Sequence, residues 1–167
     1  EFPVDAVNEC LKIGKINIED IDRVAFAYDP YLQIKETYLK SALEDPKRIS
    51  FIINEIDRIK ELHSMDKLIE EKINFKKKID FHFHHTCHVA GAYFQSGFKE
   101  ALLVSYDGLG EIDSTMMAKG SDGEISIIAP ANRYPNSLGL VYNGITYYLG
   151  WKIKKLTLLE VDALLFH

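Results

Sequence analysis

The stretch from residue 82 to residue 111 constrains the fold most, because it joins a histidine cluster to an apolar run and a glycine turn. It reads HFHHTCHVAGAYFQSGFKEALLVSYDGLGE. The run from 101 to 106 predicts a buried strand, and Asp107 follows it directly. The turn 108–111 then contains two glycines, which allow backbone N–H groups to approach a phosphate. The sequence therefore predicts a carboxylate at the C-terminal end of a strand, beside a glycine turn.

Four of the six histidines lie within seven residues of this stretch, at His82, His84, His85 and His88. A helix would place His84 and His88, which are four apart, on one face, and His85 with His88 is a second candidate pair. Together with Asp107, two imidazoles would make a three-ligand metal site with a position left for substrate. The same histidines could also be a partly exposed helix face, and spacing alone does not decide between the two readings.

The composition favours a soluble globular domain in the cytoplasm. The chain has 167 residues, 47% of them hydrophobic and 27% charged, and its formal net charge of −5 argues against a nucleic-acid partner. No apolar run is long enough to span a membrane. Two cysteines, Cys10 and Cys87, provide no disulfide framework. The first residue is Glu1, and we expect the chain to be a piece of a longer protein.

The periodicity of the apolar residues predicts alternating helices and strands, hence an α/β protein. The helices are expected at 3–13, in one or two amphipathic pieces between 31 and 78, from the histidines to 96, and from Ser137 to Gly150. The strands are expected at 24–28, 79–83, 101–106, 114–119 and 124–129. The lysine run 76–78 is typical of a solvated turn, although a phosphate contact is an alternative reading.

Five segments in this order resemble one known family. They are HHTCHVAGA from residue 84, SGF from 96, DGLGE from 107, PNSLGLVY from 135 and TYYLGW from 146. The series resembles the N-terminal domain of the nodulation and antibiotic-tailoring O-carbamoyltransferases over residues 79–152, with a fainter likeness over 1–30. Five motifs in the correct order are more specific than any one of them.

The resemblance implies an actin-like or sugar-kinase-like (ribonuclease H-like) mixed sheet with flanking helices, incomplete at both ends. The expected units are 1–30, the end of a first α/β half; 31–78, a helical connecting or insert region; 79–152, a metal- and phosphate-binding core; and 153–167, an atypical tail.

The resemblance also implies the roles of the candidate site residues. His84, His88 and Asp107 would bind a divalent metal, which is Fe(II) by the likeness, although the ligand types allow zinc or manganese equally. Gly108, Gly110, Ser137 and Gly139 would bind the nucleotide donor. His85 would be the general base, and Glu111 would orient the acceptor hydroxyl.

The implied reaction moves a carbamoyl group from carbamoyl-adenylate to a hydroxyl of a sugar or natural product. A C-terminal adenylate-forming domain would make this donor from ATP and carbamoyl phosphate. Two alternatives stay open, namely tRNA threonylcarbamoyl transfer by the related universal transferase and a non-catalytic metal- or nucleotide-binding fragment. The sequence departs from the family at Asn136, where the family usually has histidine, and an amide cannot carry a proton across neutral pH.

Overall fold

Two β-sheets organise the chain in the computed structural model, which describes residues 2–151. One sheet is the parallel pair β1 (Arg23–Phe26) and β2 (Lys78–Phe81). The other is antiparallel in the order β3 (Glu100–Tyr106), β4 (Asp113–Ser121) and β5 (Glu124–Arg133). The α/β class with flanking helices is confirmed, but within residues 2–151 the strands form two sheets, not the single mixed sheet that was predicted.

The parallel pairing of β1 and β2 requires a long crossover, and helices provide it. Asp29 caps the first of them by accepting hydrogen bonds from the N–H groups of Tyr31 and Leu32. The crossover helices are α2 (Pro30–Gln33), a π-helix (Ile34–Leu39), α3 (Lys40–Glu44), a 3-10 turn (Pro46–Arg48), α4 (Ile49–Asn54), α5 (Ile56–His63) and α6 (Met65–Ile73).

These short helices replace the one or two longer amphipathic helices that periodicity predicted. Asp45 has an extended backbone and is followed by Pro46, so one helix ends there and a new helical segment begins. Asn74 adopts a left-handed conformation after α6 and ends the series. Periodicity reports which side chains are apolar, and it does not register such local breaks.

The three-stranded sheet packs its inner face against α7 (His84–Ser96). Side chains alternate along a strand, so Leu103 of β3 and Met116 and Ala118 of β4 point to the same side and are buried there with Val89 and Tyr93 of α7. At Gly120 a Cβ would lie 2.6 Å from the Tyr93 ring, so only glycine fits under this aromatic side chain. The packing fixes α7 against the strand that leads to Asp107.

The ends of the remaining elements agree with the sequence signals. The first helix, α1 (Val4–Gly14), ends close to the predicted glycine, and α7 ends at Gly97, which has a φ of 73°. The last helix, α8 (Leu138–Tyr148), is capped by Ser137, as predicted.

The lysine run 76–78 leads into β2, and two of its side chains have partners within the chain. Lys77 Nζ donates to the carbonyl oxygens of Glu19, at 2.6 Å, and Ile21, at 2.9 Å. Lys78 pairs with Asp80 at 2.8 Å. All three lysines are exposed, as expected of a solvated turn, and the partners of Lys77 and Lys78 within the chain argue against a phosphate contact.

None of the helices within residues 2–151 is long and apolar enough to cross a membrane. The atypical tail predicted for 153–167 lies outside the described residues. The division into four units stays a prediction.

Candidate metal centre

The structure brings the three predicted metal ligands together. His84 and His88 lie one turn apart at the start of α7, with their Nε2 atoms 2.9 Å from each other. Asp107 Oδ2 lies 2.9 Å from His84 Nε2 and 3.9 Å from His88 Nε2. Atoms bound to one ion at 2.0–2.2 Å are about 3 Å apart, so these separations suit a single ion.

The trio forms where two elements end beside each other. β2 ends at Phe81, and the chain turns directly into α7, whose first residue is His84. β3 ends at Tyr106 and presents Asp107 as its next residue. Because β3 packs against α7, the carboxylate comes to the helix face that carries both imidazoles.

The hydrogen bonds of His84 define which ring nitrogen is available to a metal. Its Nδ1 lies 3.2 Å from the carbonyl oxygen of Ala27, which can only accept, so Nδ1 carries the proton. Nε2 then presents a lone pair to Asp107 Oδ2, which is also an acceptor. Two acceptors at 2.9 Å need a cation or a proton between them, and the set of two imidazoles and one carboxylate fits a divalent metal.

Burial and neighbouring groups together keep His88 and Asp107 in the protonation states that bind metals. The side chains of His84, His88 and Asp107 are 12%, 25% and 9% exposed. Burial and the neighbouring His84 lower the pKa of His88, which favours the neutral imidazole. Burial alone would raise the pKa of Asp107, but the adjacent His84 ring and the hydrogen bond from the Gly108 N–H outweigh burial and leave this pKa below its ordinary value.

Glu111 does not have the position expected of a group that orients an acceptor hydroxyl. It is 2% exposed, and its Oε1 accepts the N–H groups of Asp29, at 2.7 Å, and His84, at 3.0 Å. Its carbonyl oxygen accepts the Thr37 hydroxyl at 2.9 Å. The carboxylate is thus engaged with the backbone at the start of α7, which argues against direct contact with a substrate.

His85 likewise lies in a position that argues against the predicted general-base role. Its side chain is 1% exposed, with Nδ1 2.7 Å from the Ser105 hydroxyl and Nε2 2.9 Å from the Asp113 carbonyl oxygen. Because that carbonyl only accepts, Nε2 carries the proton and Nδ1 accepts from Ser105. Burial lowers the pKa of His85, and the neutral ring joins α7 to β3 and β4.

The glycine turn is closed by internal hydrogen bonds. The Gly110 N–H donates to the Asp113 carbonyl oxygen at 2.7 Å, and the Gly108 N–H donates to the Asp107 carboxylate. A Cβ on Gly110 would lie 3.1 Å from the His85 ring, whereas Gly108 has open space at that position. Phosphate binding by these two amides stays a prediction, and it would require them to exchange their present partners.

Ser137 and Gly139, predicted on the nucleotide side, hold the start of α8 against Asp107. The Ser137 hydroxyl donates to the Asp107 carbonyl oxygen at 2.7 Å and also accepts the Leu140 N–H at 3.2 Å. A Cβ on Gly139 would lie 2.4 Å from the Gly108 nitrogen, so glycine is required for this approach. These contacts hold the backbone of Asp107, the candidate metal ligand, and nucleotide binding by either residue stays a prediction.

Comparison with known proteins assigns the family. A family model described as Carbamoyltransferase N-terminus matches residues 2–156, which is most of the chain. The chain belongs to this carbamoyltransferase family.

Curated relatives of this carbamoyltransferase N-terminus are much longer than the chain. An uncharacterized protein, sll1178, of Synechocystis sp. is 29% identical over 91% of the chain and 26% of its own length. The nodulation protein NolNO of Sinorhizobium fredii is 27% identical over 90% of the chain and 21% of its own length. The nodulation protein NolO of Bradyrhizobium diazoefficiens is 41% identical over 40% of the chain and 12% of its own length. The chain spans about a quarter of the length of the first two relatives.

Sequence reasoning missed several residues that contact the candidate metal ligands of this carbamoyltransferase domain. Ala27 and Asp29 follow β1, and the parallel pairing of β1 with β2 places them beside His84. Since carboxyl ends of parallel strands meet at one sheet edge, this neighbourhood could have been inferred once the pairing was assumed. For Ser105, the hydrogen-bond partner of His85, the alternation with Tyr106 could have predicted only that the side chain lies on the inner face of β3. It could not have predicted the partner.

Proposed function

We propose that this domain transfers a carbamoyl group from carbamoyl-adenylate to a hydroxyl of a sugar or other natural product, with the help of a divalent metal. The observation that carries the proposal is the convergence of His84, His88 and Asp107 in a chain of the carbamoyltransferase family. Two of its curated relatives are named nodulation proteins, which supports the likeness to the nodulation O-carbamoyltransferases.

The three ligands are suited to hold the ion that such a transfer needs. When bound, a divalent ion, Fe(II) by the family likeness with zinc or manganese also compatible, would supply Lewis-acid polarisation of the donor. Ala27 keeps the proton of His84 on Nδ1, and Asp107 supplies a negative charge that partly balances the ion. An ion held by these three side chains would still be able to bind a substrate oxygen.

The carbamoyl donor would be made outside this domain. We propose that a C-terminal adenylate-forming domain of a longer cytoplasmic protein makes carbamoyl-adenylate from ATP and carbamoyl phosphate. Gly108 and Gly110, if they exchange their present partners, would face its phosphate, with Ser137 and Gly139 behind them. The relatives, of which the chain covers 26% and 21%, have ample length for such a domain.

We also propose that the two sheets belong to an actin-like fold. The supporting observations are a parallel pair joined by a helical crossover and three consecutive antiparallel strands with an acidic glycine turn after the first. In such a fold the longer protein would extend both sheets.

The test begins with the metal content of the protein purified without chelators, by elemental analysis. We expect near-stoichiometric metal in the natural sequence, its loss in the double variant His84→Ala/His88→Ala and its retention in His82→Ala, an exposed histidine two residues from the site. The longer protein should then transfer carbamoyl from carbamoyl-adenylate to a hydroxyl acceptor, and the double variant should not. Metal retained by the double variant would contradict the site, and metal binding without turnover by the longer protein would contradict the transfer.

A further inference from the structure

Glu111 is buried at a junction of three segments that are distant in sequence. Its carboxylate accepts the N–H of Asp29, 82 residues away, and the N–H of His84, 27 residues away. Thr37, on the π-helix, donates to its carbonyl oxygen at 2.9 Å. A buried carboxylate is costly unless hydrogen bonds compensate it, and here backbone N–H groups do so.

The two amides that Glu111 joins belong to the two sides of His84. One is the N–H of His84 itself, at the first turn of α7. The other belongs to Asp29, two residues after Ala27, whose carbonyl oxygen lies 3.2 Å from His84 Nδ1. Glu111 therefore fixes the backbone of the ligand and, through a short connection, the carbonyl that sets its tautomer.

From this geometry we infer that Glu111 is a positioning residue, which couples the segment 27–29 to the metal ligand His84. The inference rests on the proposed metal site. Because its side chain is 2% exposed, Glu111 would act through the backbone and not through contact with the acceptor hydroxyl. Without Glu111 the Ala27 carbonyl is no longer held against Nδ1, and the ring can take the tautomer that carries its proton on Nε2, which cannot ligate through that atom.

The expected effect is weaker metal binding with all three ligands present. Outer contacts that orient a ligating histidine are worth about 10- to 100-fold in metal affinity. Glu111→Gln keeps one oxygen acceptor and should lose less affinity than Glu111→Ala, which keeps none. Glu71→Gln, at an exposed position of α6, makes the same chemical change away from the site and should bind as the natural sequence does.

The test titrates the metal-free protein and the three variants with Co²⁺ alone, following the visible absorption of the bound ion. Circular dichroism confirms that each variant is folded. Long-range ¹H–¹⁵N spectra of the metal-free proteins report the His84 tautomer independently. We expect Nδ1 of His84 to be protonated in all molecules of the natural sequence and of Glu71→Gln, and in only part of the molecules of Glu111→Ala.

The outcomes separate this inference from the metal site beneath it. Unchanged Co²⁺ affinity and unchanged protonation of His84 Nδ1 in folded Glu111→Ala would overturn the inference and leave the metal site standing. Failure of the natural sequence to bind Co²⁺ would overturn the metal site, while the tautomer spectra, which need no metal, still decide whether Glu111 sets the ring. If Glu111→Ala does not fold, Glu111→Met, which keeps the length of the side chain but has no oxygen acceptor, takes its place.

Discussion

The Ser137 hydroxyl donates a 2.7 Å hydrogen bond to the carbonyl oxygen of Asp107. The two residues are 30 positions apart, and one caps a helix while the other carries the carboxylate of the candidate metal site. The same hydroxyl accepts the Leu140 N–H. One buried side chain thus begins α8 and anchors the end of β3.

Ser137→Ala should lower the free energy of unfolding by about 1–3 kcal/mol, because it removes a helix cap and leaves the buried Asp107 carbonyl without this donor. Ser126→Ala, at an exposed position of β5, should change it by less than about 0.5 kcal/mol. Urea denaturation of both variants measures the difference. An equal loss of free energy of unfolding in both variants would show that the Ser137 hydroxyl does not stabilise the protein through these two hydrogen bonds.

Two glycines of α8 should respond to alanine in opposite directions. At Gly139 a Cβ would lie 2.4 Å from the Gly108 nitrogen, so Gly139→Ala must displace α8 or the turn and should destabilise the protein by about 1–3 kcal/mol. At Gly144 nothing lies within 4 Å, and alanine should stabilise the helix by up to about 1 kcal/mol. Thermal and urea denaturation show whether each variant is more or less stable than the natural sequence. A Gly139→Ala variant of unchanged stability would contradict the close approach of Gly139 to the Gly108 nitrogen.

Two histidines three residues apart should differ in their contribution to stability. His85 is 1% exposed with both ring nitrogens hydrogen-bonded, so His85→Ala should cost about 2–5 kcal/mol through a cavity and lost partners. His82 is exposed, and His82→Ala should cost less than about 0.5 kcal/mol. Urea denaturation measures both. Normal stability of His85→Ala with a shifted pH–rate profile in the longer protein would instead restore the general-base role.

The stability contribution of Asp113 should depend on pH. Burial raises the pKa of Asp113, although the charges of Arg133 and His85 oppose it. The folded state therefore binds this proton more tightly than the unfolded state, whose pKa is about 3.9. The contribution of Asp113 to the free energy of unfolding is therefore fully present below the unfolded-state pKa of about 3.9. It is lost as the pH rises through the higher pKa of the folded state.

Asp113→Asn removes this titration, so its free energy of unfolding relative to the natural sequence should be higher at pH 7 than at pH 4. Urea denaturation at both values measures the change, with the exposed Asp5→Asn as the control. A relative stability that falls between pH 4 and pH 7 would contradict the raised pKa.

The sequence by itself determined the positions of several elements and indicated the candidate trio of His84, His88 and Asp107. Apolar runs located the strands near β3, β4 and β5, and Ser137 and Gly97 marked a helix start and a helix end. The four-residue spacing of His84 and His88 fixed their shared face, because helix geometry is local. The position of Asp107 after a strand was equally a local property.

Only the tertiary structure decided which polar groups face the centre and which support it. His84 and His85 are adjacent, yet one points to Asp107 and the other to Ser105. Glu111 follows the glycine turn, and its burial depends on how Asp29 and α7 approach it. Residue type cannot separate a ligand from its support, because both need the same hydrogen-bonding atoms. The separation arises from burial and from partners that lie 20 to 82 residues away in the chain.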